Sequence, residues 1–389
     1  MTAIIIFWFS VAAVFHSYVL FPVLLRIIHR WHRDPQYPPL HSPPKKISIL
    51  IAAYNEEEII ITKLQSILDS DYPSASYEIL IGSDASTDQT NLLVTQFDSQ
   101  HPGVIRFYPF KTRRGKPNIM NHLATEATGE ILVLTDANVL FDPYTLTELI
   151  RPFSNSKIGL VDTQMNNLGM KKEGISYQEK AYISREVRIK YLEGSLWGTM
   201  MGPFGGCYAI RRQLFEPIPP TYLVDDFFLN MCVLDKGFFA VNNPAARVYE
   251  DVSNDLSIEY RRKIRIATGN FQNLSHFAHL LWPPWKGRSF CFMSHKVIRW
   301  FGPFLLLSAL IPLGVLSFHS ALYFWLLLGY LFIFLLPLAD ILFKSVNLHI
   351  PLLRFLTHFM AMNLAMGVGF IKFLKGVKSN VWQPTKRHQ

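Results

Sequence analysis

The sequence predicts an α/β domain built on a mostly parallel sheet, held between membrane-spanning helices. Three observations carry this. Between Lys46 and Thr135, short continuous apolar runs alternate with helical stretches, the pattern of a parallel sheet covered on both faces. Both ends of the chain hold long stretches without charge. Only 17% of the 389 residues are Asp, Glu, Lys or Arg, against about a quarter in ordinary soluble domains. Half the residues are apolar and 14% are aromatic, which excludes a disordered chain and a coiled coil. The three cysteines, Cys207, Cys232 and Cys291, have neither metal spacing nor a disulfide framework, which suits a reducing compartment.

Ala3 to Leu25 contains no charged residue, and about 20 such residues cross a hydrocarbon core of about 30 Å. A cleaved signal peptide would need a basic start and a small-residue cleavage site, and neither is visible. Residues 1–30 are therefore expected to be a transmembrane helix. Arg26, His29, Arg30, His32, Arg33, Lys45 and Lys46 come after the uncharged stretch, with Asp34 the single acid. The positive-inside rule places this flank, and the domain after it, in the cytoplasm. Pro35, Pro38, Pro39, Pro43 and Pro44 make residues 31–45 a stiff linker.

The soluble domain is expected over residues 46–274. Its strands are predicted at Ile47–Ala53, Tyr77–Ser83, Val104–Phe110 and Ile131–Thr135. Helices are predicted at Glu56–Leu68, Asp88–Phe97 and Pro117–Ala127. Ligands of such sheets bind at the carboxyl ends of the strands. There the sequence places Ala53, Tyr54, Asn55 and Glu56; Ser83 to Asp88; the loop Lys111 to Lys116; and Asp136-Ala137-Asn138. No G-x-G-x-x-G and no G-x-x-x-x-G-K-[ST] follows the first strand. The edge suits a nucleotide whose phosphates are held by a metal. Asp84 ends a buried strand and can accept hydrogen bonds from a base or a ribose. Lys116, beside Arg113 and Arg114, suits a diphosphate. Asp136 and Asn138 offer hard oxygen donors for Mg²⁺ or Mn²⁺. Asp88 also reads as the cap of the helix that follows.

After the domain, residues 275–299 mix Trp282, Trp285, Phe290 and Phe292 with Lys286, Arg288 and Lys296, as an interfacial segment does. Residues 300–375 read as transmembrane or re-entrant helices. Trp300–Phe318 and Ala321–Phe343 are expected to span, and 350–374, with Arg354, His358 and Asn363, to cross incompletely. Gly367 and Gly369 would allow close helix approach. That arrangement keeps the basic tail 376–389, with Lys378, Lys386 and Arg387, in the cytoplasm.

Ile49-Leu50-Ile51-Ala52-Ala53-Tyr54-Asn55-Glu56, Ser83-Asp84-Ala85-Ser86-Thr87-Asp88-Gln89-Thr90, Gly115-Lys116 and Thr135-Asp136-Ala137-Asn138 together resemble the family 2 glycosyltransferases of the GT-A fold. Val224-Asp225-Asp226 stands where that family has its acidic pair. Trp382-Gln383-Pro384-Thr385-Lys386-Arg387 is similar to the Trp-x-x-Thr-x-Arg tail of its membrane-bound polysaccharide synthases. The resemblance implies a Rossmann-like domain. Ala53, Tyr54, Glu56, Asp84, Lys116 and Asp136 would bind the donor, Asp136 and Asn138 a metal. Asp226 would be the general base and Asp225 its positioning or tuning partner. Asn138 departs from the usual second Asp. Trp197 to Tyr208 would line the acceptor site. The basic cluster Arg261 to Arg265, with Arg262 nearest the donor, stands near where processive members carry Gln-x-x-Arg-Trp, a motif absent here.

The expected function is inverting transfer of a sugar from a nucleoside diphosphate sugar, with a UDP-sugar favoured, to a growing polysaccharide at a bacterial-type inner membrane. Export-partner subunits are compatible with this. One alternative is transfer of a single sugar to a lipid-phosphate carrier. Another is a nucleotide-sensing transport or assembly protein. Nucleic acid is not an expected partner, because the excess of 38 Lys and Arg over 29 Asp and Glu clusters at the membrane boundaries.

Overall fold

The computed structural model of the chain describes residues 1–39, 45–168, 176–251, 256–345, 350–378 and 380. The chain divides into a helical unit (residues 1–28, 171–185 and 254–376) and a sheet-bearing unit formed by the rest.

Among the described residues of the sheet-bearing unit, eight strands form one sheet: β1 Ile47–Ala53, β2 Tyr77–Asp84, β3 Ile105–Phe110, β4 Ile131–Asp136, β5 Leu140–Phe141, β6 Ile158–Leu168, β7 Cys207–Arg211 and β8 Phe239–Asp251. Their order is β3-β2-β1-β4-β7-β6-β8-β5. The first four are mutually parallel, as expected, and the helices Ile60–Leu68, Thr90–Gln100 and Lys116–Glu126 connect them. β1 is buried along its whole length, as the centre of a doubly covered sheet should be. The second half is mixed: β7 is antiparallel to β4 and β6, while β6 and β8 are parallel.

The helix after β1 starts at Ile60 and not at Glu56, because Glu57–Ile59 form turns. That leaves residues 54–57 as a loop over the sheet edge. Asp225 and Asp226 are the first residues of the helix Asp225–Asp235, with Val224 at its N-cap, so neither is the cap.

In the helical unit, Thr2–His29, Ala321–Asp340 and Leu352–Leu374 are long and apolar enough to cross a membrane. Gly302–Ser317, with 16 residues, is shorter, and a bend of 65° separates it from Gly287–Trp300. At 1.5 Å per residue it reaches about 24 Å, less than a hydrocarbon core. By length and composition Leu352–Leu374 qualifies as a span by itself, whereas Gly302–Ser317 qualifies only together with Gly287–Trp300, as a broken span or a re-entrant pair. The break between them is local: Gly302-Pro303 begins a new helix where the earlier one ends. Of the two glycines, Gly369 makes the close approach, since a Cβ there would meet the Ala267 Cβ at 2.4 Å, and Thr268 Oγ1 donates to the Gly369 carbonyl at 3.2 Å. Gly367 has ordinary space around it. Trp282 and Trp285 are exposed. Pro43, Pro44 and the 382–387 motif lie outside the described residues.

Candidate active site

The carboxyl edge of the parallel strands carries the predicted residues, in two different states. Asp84 ends β2 and is fully buried. Its oxygens accept from Arg113 Nε at 3.0 Å, from the Arg114 backbone N–H at 2.5 Å and from the Gly115 N–H at 3.1 Å. The Arg113 guanidinium lies 3.3 Å from the centre of the Tyr54 ring. The loop after β3 is thereby folded back over the ends of β1 and β2. Gly115, with φ +82°, is what lets the chain turn from that loop into the helix Lys116–Glu126.

Two further turns frame the edge. Asn55 has φ +54° and its side-chain oxygen accepts from the Thr87 N–H at 2.9 Å. Asp88 accepts from the Thr90 N–H at 3.0 Å and from the Glu57 N–H at 3.1 Å. Asp88 therefore serves the backbone, but the N-cap of the helix Thr90–Gln100 is Gln89 and not Asp88 as its capping reading had it. Ala53 is buried at the end of β1, and the Glu56 N–H is held by Thr90 Oγ1 at 2.9 Å.

Asp136 ends β4, which flanks β1 on the side opposite β2. Strand spacing puts the Asp84 and Asp136 backbones about 10 Å apart laterally. Asp136 Oδ1 receives Lys116 Nζ at 2.7 Å, and the same ammonium lies 3.8 Å from Asp225 Oδ2. Burial opposes the charge on Lys116, but Asp136, Asp225 and Asp226 outweigh it and push its pKa up. Asp226 Oδ1 accepts from the Phe227 N–H at 2.8 Å. Burial and then the Asp225 charge push the Asp226 carboxyl up to about 6, against the Phe227 N–H, Lys116 and Lys190. A Cβ on Gly205 would come within 2.5 Å of Asp226 Oδ2, so the glycine-rich loop makes room for this carboxylate. Tyr208 is buried and its hydroxyl has no hydrogen-bond partner among the described residues. Burial, followed by Asp225, Asp226 and Asp136, pushes it well above the usual tyrosine range. The predicted Asp136, Lys116, Asp225 and Asp226 thus share one neighbourhood.

The loop before β7 hangs on buried groups. Asp162 accepts from the Phe204 N–H at 2.7 Å and from Lys190 Nζ at 2.8 Å, and Glu193 accepts from the Met201 N–H at 3.0 Å. Sequence reasoning passed over all three side chains, although Asp162 inside an apolar strand was a visible signal. It also passed over Glu250. The Asn138 amide donates to Glu250 Oε1 at 2.9 Å, which leaves the Asn138 carbonyl oxygen as its unused donor atom. This accounts for the departure from a second Asp: a carboxylate at 138 would face another carboxylate.

Lys63 was missed as well. It is fully buried below β4, where Nζ donates to Thr135 Oγ1 at 3.0 Å and to the Val139 carbonyl at 2.5 Å. Burial pulls it down to about 7, against the raising effect of Cys207 and Asp136. Arg262 is an exposed residue of the helix Leu256–Phe277, in the helical unit.

Two family models match the chain in succession: Glycosyl transferase family 2 over residues 48–218 and Glycosyl transferase family group 2 over residues 173–343. The chain belongs to the family 2 glycosyltransferases. Probable glycosyltransferase YdaM of Bacillus subtilis is 24% identical over 272 residues, which cover 66% of this chain and 60% of that protein. A poly-β-1,6-N-acetyl-D-glucosamine synthase of Staphylococcus epidermidis is 33% identical over 122 residues, 31% of this chain and 29% of the synthase. The matched stretches therefore span less than two thirds of either relative. Among solved structures, the mannosyltransferase PcManGT of Pyrobaculum calidifontis, in complex with GDP-Man and Mn²⁺, aligns with a TM-score of 0.70 and 21% identity, over 95% of this chain and 99% of that one. That likeness shows the fold, which is the GT-A fold expected of the family.

Proposed function

We propose that this glycosyltransferase moves a sugar, with inversion, from a nucleoside diphosphate sugar to the end of a growing polysaccharide. The observation that carries this is one lysine, Lys116, bridging Asp136 and Asp225 beside a carboxyl raised to about 6, at the carboxyl edge of the sheet. A leaving diphosphate needs positive charge, and an attacking hydroxyl needs a base. Lys116 supplies the first. Asp226 supplies the second, since a raised carboxylate is a better proton acceptor, and Asp225 holds its proton affinity up. No second carboxylate is assigned as a nucleophile, which supports inversion.

The donor set fits a divalent cation. Asp136 offers a carboxylate that already attracts a cation, and Asn138 offers a carbonyl oxygen. No cluster of three His, Cys, Asp or Glu suited to a metal occurs among the described residues. Phosphate oxygens would therefore fill the remaining positions, as is usual for Mg²⁺ and Mn²⁺ at nucleotide sites. Such an ion would neutralise charge on the diphosphate. Ala53, Tyr54 and Glu56 frame the base and sugar side, and Arg262, by its position in the sequence, is the proposed further cation for the phosphates. Asp84 is fully buried under the 113–115 loop, so for it to take a base N–H that loop must open. Arg113, held through its side chain, is the group that can move aside. UDP is the favoured nucleotide.

The three apolar helices support an integral membrane protein with its catalytic unit in the cytoplasm of a bacterial-type inner membrane. Export-partner subunits are compatible with this placement. The absence of Gln-x-x-Arg-Trp supports the second reading, transfer of one sugar to a lipid-phosphate carrier. Incubating detergent-purified protein with a panel of nucleotide sugars tests the proposal. Release of a nucleoside diphosphate from one donor is expected, and hydrolysis of none would overturn it. A product ladder would indicate polymer synthesis, and a single glycolipid would indicate the second reading.

A further inference from the structure

Lys63 sits on the apolar face of the helix Ile60–Leu68, between the buried Ile60, Leu64 and Ile67, where an apolar side chain would be the inexpensive choice. It forms no ion pair with a carboxylate among the described residues. Its partners are Thr135 Oγ1, the Val139 carbonyl and the face of the Phe141 ring, 3.6 Å away. All three belong to the short segment 135–141. Asp136 and Asn138 lie between the first two.

The segment depends on these contacts. Thr135 Oγ1 donates onward to the Gly206 carbonyl at 3.1 Å, which also takes the Asp136 N–H at 2.9 Å. The Val139 N–H returns to the Asp136 carbonyl at 3.3 Å and closes a turn around Ala137 and Asn138. On β4, Asp136 shares a face with Leu134 and so with Tyr208, the register partner of Leu134. Thr135 and its partner Cys207 occupy the opposite face, where Lys63 is. The ammonium therefore stands behind the strand, on the far side from the carboxylates. It clamps both ends of the turn that presents Asp136 and Asn138.

We propose that Lys63 is a positioning residue of the donor site. It fixes the turn 135–139 and, through it, the Asp136 carboxylate and the Asn138 carbonyl that would receive a metal-bound diphosphate. The inference rests on the donor-site reading above and adds a residue that never touches the ligand. It explains why a lysine stands in the core below β4, and why its contacts all fall on one turn.

The test is calorimetric titration of full-length protein with UDP and with GDP, in Mn²⁺ and in EDTA, beside thermal denaturation. Lys63→Met is expected to weaken nucleotide binding in Mn²⁺ by about tenfold or more, the usual result of losing a group that orients a metal ligand. Binding in EDTA and the melting temperature should hold at the wild-type values, or the latter should rise. Lys63→Gln, which keeps a donor without the charge, should fall between. Equal affinity of Lys63→Met and wild type in Mn²⁺, or an equal loss with and without metal, would reduce Lys63 to a packing residue and overturn the proposal. Should Lys63→Met not fold, Thr135→Val enters the same titration. A loss confined to Mn²⁺ supports the proposal, and no loss sinks it. A wild-type protein that binds neither nucleotide would instead bring down the donor-site reading itself.

Discussion

Asp84 and Asp136 look alike in the sequence: each closes an apolar strand and each stands before a polar loop. The structure separates them. Asp84 is fully buried, and one loop sets Arg113 Nε and the Arg114 and Gly115 N–H groups on it. Asp136 keeps 36% of its side chain exposed and shares its counter-ion with Asp225. The first is spent on holding the 113–115 loop, which aims Lys116. The second holds a lysine that a ligand can compete for. The lesson is that a strand-ending carboxylate becomes scaffold or reagent according to how many donors its neighbouring loop supplies. Substitutions should therefore split into those that unfold and those that silence.

The largest effect is expected on the silent side. Asp226→Asn removes the proposed base and should lower kcat by about 10³-fold, within the usual range for general-base catalysis, with nucleotide binding retained. Stability should move the other way. A carboxyl raised to about 6 from 3.8 contributes stability below pH 3.8 that is lost as pH rises through 6. At pH 7 the wild type has lost it, so Asp226→Asn should melt at the same temperature or higher. A lower melting temperature with normal turnover would move Asp226 to the scaffold side.

Asp84→Asn is the counterpart. It places an amide N–H₂ against donors and should cost about 3 kcal/mol of stability, as breaking a buried charged pair does. Thermal or denaturant unfolding reads this directly. Unchanged stability would mean that the 113–115 loop is held by something else. Asp136→Ala should leave stability within about 1 kcal/mol, since a partly exposed pair contributes little, and should weaken nucleotide binding only where metal is present. An Asp136→Ala protein whose activity in Mn²⁺ equals that in EDTA-treated wild type fits this, whereas indifference of the wild type to EDTA would remove the metal assignment.

How much of this the sequence disclosed follows the same divide. The four parallel strands were legible to within a residue or two, because each is a continuous apolar run bounded by polar turns. β5, β6, β7 and β8 were not. β5 has two residues, β7 has five, and β8 runs through Asn242, Asn243 and Pro244, which break its apolar pattern. Their pairing partners are also distant in the chain, so no local signal sets the register. Asp136, Lys116, Asp225 and Asp226 were legible as residue types at strand ends. That Lys116 joins two of them was not, since Asp136 and Asp225 are far apart in the chain and no local signal brings them to one lysine. Lys63 did leave a trace: spacing from Ile60 to Leu64 and Ile67 puts position 63 on the inward face, where a lysine is out of place.

Proton dependence sharpens the comparison further. With Asp226 as the proposed base, which acts when ionised, kcat/KM should rise about tenfold per pH unit below the carboxyl's value of about 6 and flatten above it. The Asp226→Asn residual rate should not show this rise. A profile flat from pH 5 to pH 8 would assign the base elsewhere.

The smallest effect concerns Asn138, where the contrast between scaffold and reagent meets inside one side chain. Its amide nitrogen is tied to Glu250 at 2.9 Å, which leaves its carbonyl oxygen unused. Asn138→Asp restores the second carboxylate common in the family but sets it against Glu250. Without metal the two charges repel and should lower the melting temperature slightly. A divalent cation relieves that repulsion, so Mn²⁺ should recover the lost stability and bind about fivefold more tightly than to wild type, equivalent to about 1 kcal/mol. Adding Glu250→Gln should abolish the melting penalty while keeping the tighter binding, because it removes the repulsion and not the new ligand. If Mn²⁺ affinity is the same in wild type and Asn138→Asp, the 138 side chain belongs wholly to Glu250, and Asp136 alone remains as the protein's ligand to the metal.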